Sequence, residues 1–184
     1  DGKKGIKVIP CYYKKDYPEW SDRGDGPGAP VAVHLPNSPV IATGKRDGSK
    51  IRLPNGNYLE ETASYYVMIE TKTGGYTPAL ITMKSTQLNV SKKWNSMMKT
   101  IQIPDGKGGF AIPPMHGVVY NLASTLQKND KGSWYGWVVT QDRIMGQDDK
   151  TLYLSAKDFA GNVSKGSVQT KADVEETSSD STPY

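Results

Sequence analysis

The sequence predicts a mainly β protein, an OB-fold-like antiparallel barrel with one amphipathic helix, loop insertions and a disordered acidic C-terminal tail. Strand-like segments alternate with turns rich in glycine and proline, and the 184-residue chain has 19 glycines and 12 prolines. One segment has a clear helical period, and it lies between the strands. A β-sandwich with one helix fits this order of elements almost as well.

Strands are predicted where apolar residues run in short or alternating stretches between turn residues. The Asn55-Gly56 pair predicts a type I′ hairpin turn, because both residues tolerate positive φ. One capped helical turn is expected at 155–161, and we predict one domain over 1–163 with a flexible tail over 164–184. The predicted strands are 5–13, 31–35, 40–43, 50–53, 58–71, 76–84, 117–122, 133–140 and 151–154.

The amphipathic helix is predicted within residues 85–101. Ser85 or Thr86 can cap its first turn. Three lysines lie off the apolar stripe and are expected to face water or a ligand. The stripe recurs at i, i+4, i+7, i+8 and i+11, and consists of Val90, Trp94, Met97, Met98 and Ile101.

Charge is distributed unevenly along the chain. Residues 1–170 contain 22 basic and 15 acidic side chains, whereas residues 171–184 contain one lysine and four acids. A positive body with an acidic end is typical of a protein that binds a polyanion and whose tail can mimic that ligand. Ordinary surface lysines that keep the protein soluble are the alternative interpretation.

Sequence motifs for enzymes, metal sites and membrane spans are absent. The chain has no phosphate-binding loop, dinucleotide fingerprint, zinc-protease or serine-hydrolase motif, so we predict no enzyme activity and no cofactor. One cysteine and two histidines are too few for a structural zinc site, and Cys11 is expected to be a buried, inert thiol. His34 and His116 have no partner at a recognisable spacing. No apolar run is long enough to cross a membrane.

Aromatic usage points to a binding surface, because 11 tyrosines accompany only two phenylalanines. Tyrosine and tryptophan are favoured where a ring is partly exposed to solvent or contacts a ligand. In strand 133–140, Gly136 is expected to leave open space beside Trp134 for a base or a ring. Tyr65 and Tyr66 fall on opposite faces of their strand, so one of them is expected to be buried and the other exposed.

Three strings in the sequence are distinctive: LPNGNY at Leu53–Tyr58, STQLNVSKKWNSMM at Ser85–Met98 and NDKGSWYGW at Asn129–Trp137. Together they resemble a bacteriophage protein family associated with replication modules and single-stranded DNA binding. The C-terminal acids followed by Pro183-Tyr184 are similar to the tails of bacterial and phage single-stranded DNA-binding proteins. This second resemblance implies a tail that recruits replication proteins, with Glu175, Glu176, Asp180 and Tyr184 as its contact residues.

The leading hypothesis is therefore a phage single-stranded DNA-binding protein that acts in the cytoplasm of the infected host cell without strong sequence preference. Cations would contact phosphates while rings stack on bases. The predicted stacking residues are Tyr58, Tyr65 and Trp134. The predicted phosphate contacts are Lys45, Arg46, Lys50, Arg52, Lys128 and Lys131.

Two other functions remain open. A phage virion structural or accessory protein would use the same aromatic surface for protein assembly, and it needs no affinity for oligonucleotides. An oligosaccharide-binding module would share the aromatic residues but has no use for a positive body. The sequence leaves the oligomeric state undecided.

Overall fold

The computed structural model describes residues 2–22, 28–130 and 132–168. It confirms a mainly β protein whose antiparallel sheet curls into a half-barrel. Most of the predicted tail, residues 169–184, lies outside the described part, and the division into domain and tail stays a prediction. In chain order the elements are β1 (Ile6–Trp20), β2 (Ala32–His34), α1 (Pro39–Thr43), β3 (Lys45–Asp47), β4 (Lys50–Arg52), β5 (Tyr58–Glu60), β6 (Thr62–Glu70), β7 (Tyr76–Lys84), α2 (Leu88–Thr100), β8 (Ile103–Pro104), β9 (Phe110–Ala111), β10 (Val118–Asn129), β11 (Gly132–Ile144) and α3 (Lys150–Ser164).

The main sheet has the order β7-β6-β1-β10-β11, and every neighbouring pair is antiparallel. Strand β1 lies at the centre of this sheet, and different parts of its length pair with different strands. Its first residues pair with β10, and the stretch from Val8 to Asp16 pairs with β6. The β1–β6 register shifts between Pro10 and Tyr12. A bulge bends the strand and accommodates a proline that cannot donate to the ladder, which helps the sheet to curl.

Each face of the main sheet is covered by one helix. Helix α2 packs Trp94 and Met98 on the face that carries Val8, Tyr65 and Tyr120. Helix α2 contacts both edge strands, β7 and β11, so it spans the concave side of the half-barrel from one edge to the other. Helix α3 covers the opposite face, where a second buried cluster contains Ile9, Cys11, Met68, Val119 and Ala156.

Helix α2 confirms the predicted apolar stripe but begins differently. Trp94, Met98 and Ile101 are buried, and the off-stripe lysines are exposed, as expected. The predicted cap is wrong, because Ser85 takes a φ of +51° and opens a 3₁₀ turn, Ser85–Gln87, that precedes the α-helix. The α-helix then starts at Leu88 without a side-chain cap.

Helix α3 replaces the predicted strand 151–154 and the single helical turn after it. Fifteen residues form one continuous helix. It buries Ala156 and packs Leu152, Phe159 and Ala160 against the second cluster, a set spaced at i, i+4, i+7 and i+8. None of the helices among the described residues is long and apolar enough to cross a membrane.

The last residues of β1 support a smaller sheet in which β1, β5, β4 and β3 pair in that order, while β2 pairs with β1. A third apolar cluster lies beneath it and contains Tyr17, Ile51 and Leu59. The predicted strand 40–43 is wrong. Pro39 occupies the start of the short helix α1, where its fixed φ and missing N–H are tolerated.

The hairpin between β4 and β5 is confirmed, but its turn type is not. Gly56 has a φ of +90° and Asn55 does not have a positive φ, so the turn is not type I′. The Gly56 N–H donates to the Leu53 carbonyl at 3.1 Å, and the Leu53 N–H donates to the Asn57 carbonyl at 2.9 Å. Pro54 fixes a negative φ at the first central position, which excludes type I′, and the absence of a positive φ at Asn55 excludes type II, so the turn is type I followed by a left-handed glycine.

Candidate interaction surfaces

Four residues predicted to bind DNA lie on one face of the small sheet. Register pairs Trp20 with Tyr58, Tyr58 with Arg52, and Arg52 with Lys45. Residues directly opposite one another in antiparallel strands share a face, so these side chains form a row across four strands. Lys50 lies two residues along β4 from Arg52, and its ammonium group is 3.6 Å from the centroid of the Tyr58 ring. We call this surface the basic row.

Acidic side chains accompany the cations of the basic row. The Arg52 guanidinium contacts Asp22 at 3.2 Å and Asp47 at 3.3 Å, and both carboxylates raise the pKa of Arg52. The Tyr58 ring is in turn covered by Lys50. The Lys84 ammonium, 5.8 Å from the centroid of a Trp20 ring, also contacts Glu60 at 3.0 Å. The charge of Arg52 in the basic row, and that of the neighbouring Lys84, is therefore balanced within the protein.

Two predicted DNA contacts lie away from the basic row. Arg46 pairs with the buried Ile51, so its side chain leaves β3 on the face opposite Lys45. Tyr65 has no exposed surface, and its ring stacks on Trp94 with 4.4 Å between centroids. Its hydroxyl meets the Ser91 Oγ at 2.8 Å. The prediction that Tyr65 stacks on bases is wrong, because α2 covers it.

Two further predicted DNA contacts, Lys128 and Trp134, lie on the β10–β11 hairpin. Lys128 is exposed, and Lys131 lies outside the described residues, as do the tail residues Glu175, Glu176, Asp180 and Tyr184. Trp134 is half-buried beside Gln127, its register partner. The open space expected at Gly136 is wrong, because a Cβ there would come within 2.4 Å of the Gln127 amide nitrogen.

The β10–β11 hairpin extends beyond the rest of the sheet. Pairing of β1 with β10 ends at Ile6 and Leu122, while β10 and β11 stay paired down to Asn129 and Gly132. We call this extension the arm and define it as residues 124–129 and 132–137; at its base the Ser124 N–H donates to the Gly2 carbonyl at 2.8 Å, and beyond that point it has two strands. Two-stranded hairpins are marginally stable in water unless something packs on them, so the arm is a place where a binding partner would stabilise the protein.

Three large side chains form an exposed strip on one face of the arm. Leu126 and Tyr135 are register partners and are 59% and 66% exposed, and Trp137 is two residues farther along β11 and 37% exposed. The next position on this face, Val139, packs on the core under α2. The strip of Leu126, Tyr135 and Trp137 therefore lies on the same face of the sheet as the core, but beyond the part of that face that α2 covers.

Among the described residues, no strand pairs with the outer edge of β11, although a side chain occupies that edge at Trp137. The Trp137 N–H points away from β10 and donates to the Gln87 side-chain oxygen at 3.1 Å. Backbone groups alternate in direction along an antiparallel edge strand, so those of Ser133 and Tyr135 also point outwards. Residues 132–140 contain no charge and no proline, which are the usual features that prevent an edge strand from pairing.

A buried polar cluster, which the sequence interpretation missed, ties the small sheet together. Glu19 is 7% exposed, and its carboxylate contacts the His34 Nε2 at 2.7 Å. It also accepts hydrogen bonds from the side-chain amides of Asn57 at 2.6 Å and Asn55 at 3.1 Å. These bonds, that from Asn57 foremost, lower the pKa of Glu19. Sequence separation hid this cluster, since His34 and Glu19 meet only when β2 pairs with β1.

The other residues considered for chemistry are placed as follows. Cys11 is buried under α3, and burial raises its pKa to about 12, as expected for an inert thiol. His116 packs beside Tyr153, and burial lowers its pKa. Within the described residues, no group of three or more His, Cys, Asp or Glu side chains could hold a metal ion. Absence of catalysis and absence of a cofactor remain predictions.

Comparison with known proteins identifies a family without assigning a role. No curated protein and no solved structure matches the chain. A family model for the Pam3 phage gp34-like proteins matches residues 2–169, nearly the whole chain. The protein therefore belongs to the Pam3 phage gp34-like family and is a bacteriophage protein.

Proposed function

We propose that this chain is a phage structural or accessory protein that assembles with another protein chain through its arm. The observation that carries the proposal is the exposed strip of Leu126, Tyr135 and Trp137 beside the outer edge of β11, which pairs with no strand among the described residues. Aromatic side chains are enriched at protein interfaces, and an edge strand can add a partner strand through backbone hydrogen bonds. Both features occur on the arm, which extends away from the core.

Phage particles provide the test. The chain is expected to sediment with purified particles, and Tyr135→Lys is expected to remove most of it from them, because a charge would be buried at the interface. Thr82→Lys, at an exposed position of the other edge strand β7, is the matched control and should leave particle association unchanged. Recovery of the wild-type chain only in the particle-free fraction would contradict the proposal.

A second candidate function is single-stranded DNA binding, and the basic row favours it. Trp20 and Tyr58 lie side by side with Lys45, Lys50 and Arg52 around them. A strand of DNA could stack on these rings while the lysines contact phosphates. The pairing of Arg52 with two aspartates weakens this candidate relative to assembly.

Tryptophan fluorescence during titration with dT oligomers tests this second function. Binding should quench emission, Lys45→Ala should weaken it, and the affinity should fall with salt by a slope of about −0.7 per phosphate contact. Lys92→Ala, on the exposed side of α2, is the matched control. Removal of residues 171–184 should tighten binding if the acidic tail competes with DNA. No quenching at low salt would exclude the candidate.

A further inference from the structure

Helix α2 presents only positive charge to solvent. Its exposed side carries three lysines, and the helix contains no Asp or Glu, so no carboxylate one turn away balances them. Among the described residues, no carboxylate forms an ion pair with any of the three. We call this surface the lysine face, and it consists of Lys92, Lys93 and Lys99.

Helix α3, on the other side of the main sheet, carries both signs of charge. It contains Lys150 and Lys157 but also Asp158, and two further aspartates, Asp148 and Asp149, directly precede it. Mixed charge of this kind is what keeps an ordinary protein surface soluble. The lysine face is therefore a local feature of one side of the molecule, and a general surplus of surface lysine does not account for it.

The lysine face lies beside the exposed strip of the arm. The strip and α2 are on the same side of the main sheet, because Val139, the next position on the strip face, packs under α2. The Gln87 side chain, directly before α2, accepts the hydrogen bond from the Trp137 N–H at 3.1 Å. Lys92 follows Gln87 by about 8 Å along the helix axis. A chain packed on the strip would therefore meet the lysine face where it passes onto α2.

A fourth lysine lies at the other end of the strip. Lys128 is two residues beyond Leu126 on β10, so both side chains are on the same face. Lys128 is exposed, and it forms no ion pair within the described part of the chain. The arm itself contains no Asp or Glu, and Asp130 lies in the turn beyond Lys128. The apolar strip thus has unpaired lysines near both of its ends.

We propose that the partner of the arm is an acidic protein segment. Its apolar side chains pack on the strip, and its carboxylates pair with Lys92, Lys93 and Lys128. The inference rests on the proposed assembly function and names the chemistry of the partner. Opposite charges attract over about 8 Å at physiological salt, and complementary charge both speeds association and excludes partners of like charge.

The composition of the two surfaces favours a protein partner over a nucleic acid. Leu126 lies in the centre of the strip, where an aliphatic side chain offers no ring on which a base could stack. All four cations are lysines, which lack the planar fork with which arginine binds phosphate at two points. Carboxylates next to apolar side chains match both surfaces at once.

Carbodiimide cross-linking in purified phage particles tests the inference, since this reagent joins a lysine only to a carboxylate in contact with it. Mass spectrometry of the peptides should find links from Lys92, Lys93 or Lys128 to Asp or Glu of another particle protein. The absence of such links, or links from these lysines only to acids of this chain, would overturn the inference. Links to another protein that are confined to Lys150 and Lys157 of α3 would also overturn it.

Charge reversal provides matched variants for the same particles. Lys92→Glu combined with Lys93→Glu should weaken particle binding about tenfold, because two attractive pairs become repulsive. Lys150→Glu combined with Lys157→Glu makes the same change in net charge on α3 and should leave binding unchanged. Equal losses in the two double variants would overturn the pairing. Lys128→Glu, which lies outside both helices, serves as the second variant if the α2 variant fails to fold.

Three results separate this inference from the proposed function. Wild-type binding by the α2 double variant, with binding lost in Tyr135→Lys, would overturn the acidic partner and leave assembly through the arm standing. A wild-type chain absent from particles would overturn both. If the α2 double variant weakened the quenching by dT oligomers as strongly as Lys45→Ala, the lysine face would bind nucleic acid, and an acidic protein partner would be excluded.

Discussion

Two pairs of aromatic side chains, one at the contact of α2 with the main sheet and one farther along the same face, have opposite environments. Tyr65 and Trp94 are fully buried and stacked, whereas Tyr135 and Trp137 are 66% and 37% exposed. The difference lies in what packs on each strand, since α2 supplies Trp94 and covers Tyr65, whereas Tyr135 and Trp137 belong to none of the buried clusters of the described residues. An aromatic residue on a strand is therefore a core residue or an interface residue according to what packs on that part of the sheet.

Removal of the buried ring should have the largest effect on stability. Trp94→Ala deletes a side chain that contacts Tyr65 and Tyr120, and it should lower the free energy of unfolding by about 3–5 kcal/mol. Urea denaturation monitored by circular dichroism measures this. Lys93→Ala on the exposed side of the same helix is the control and should change it by less than about 0.5 kcal/mol. Similar losses in both variants would contradict the burial of Trp94.

The buried carboxylate should have the next largest effect. Glu19→Gln keeps the volume but replaces the charged acceptor of His34, Asn55 and Asn57, and it should lower the unfolding free energy by about 1–3 kcal/mol at pH 7. Because folding lowers the pKa of Glu19, its contribution is present above the unfolded pKa of about 4.3 and is lost as pH falls through the folded pKa.

Denaturation curves between pH 7 and pH 2 check this linkage. The wild type should lose stability on acidification more steeply than Glu19→Gln. Glu61→Gln is the control, because Glu61 contacts Lys15 on a part-buried surface. Parallel pH profiles for the wild type and Glu19→Gln would show that the cluster does not depend on the ionised carboxylate.

The exposed ring should contribute little to folding. Tyr135→Lys should change the unfolding free energy of the monomeric chain by less than about 0.5 kcal/mol, because most of the ring is exposed to solvent in the folded monomer. Urea denaturation at low protein concentration is the appropriate measurement. A loss as large as that of Trp94→Ala would mean that the arm strip is packed within the chain, which would remove the contrast between the two pairs.

The smallest expected effect is spectroscopic. Acrylamide should quench Trp137 emission readily and leave Trp94 emission almost unchanged, because only Trp137 of these two is exposed. Trp137→Phe should therefore remove a large part of the quenchable fraction in a Stern–Volmer plot. An unchanged quenchable fraction in this variant would show that Trp137 is covered in solution.

The strand periods of the sequence predict which side chains share a face, but not which faces are covered. Alternation placed Tyr65 and Tyr66 on opposite sides of β6, and we expected one exposed ring. Both are buried, since Tyr65 stacks on Trp94 of α2 and Tyr66, on the other face, packs edge-on against Tyr12. On the arm the same alternation places Tyr135 and Trp137 on the face that is buried elsewhere in the sheet, but these two side chains are exposed.

Helix α3 was predictable and was missed. Leu152, Ala156, Phe159 and Ala160 repeat with the same spacing as the stripe of α2. The first residues of the segment are typical of a strand, and Gly161 is typical of a helix end, so both features argued against one long helix. The contacts of Glu19 are different in kind, because partners at positions 34, 55 and 57 come together only through strand pairing between distant segments.

Amide hydrogen exchange of the chain, free and within purified phage particles, tests whether the arm is the surface through which the protein assembles. We expect the arm amides at 132–137 to exchange quickly in the free monomer and to become strongly protected in particles, while amides of the main sheet under α2 change little. Fast exchange of the arm in both states, or protection confined to the basic row, would contradict assembly through the arm.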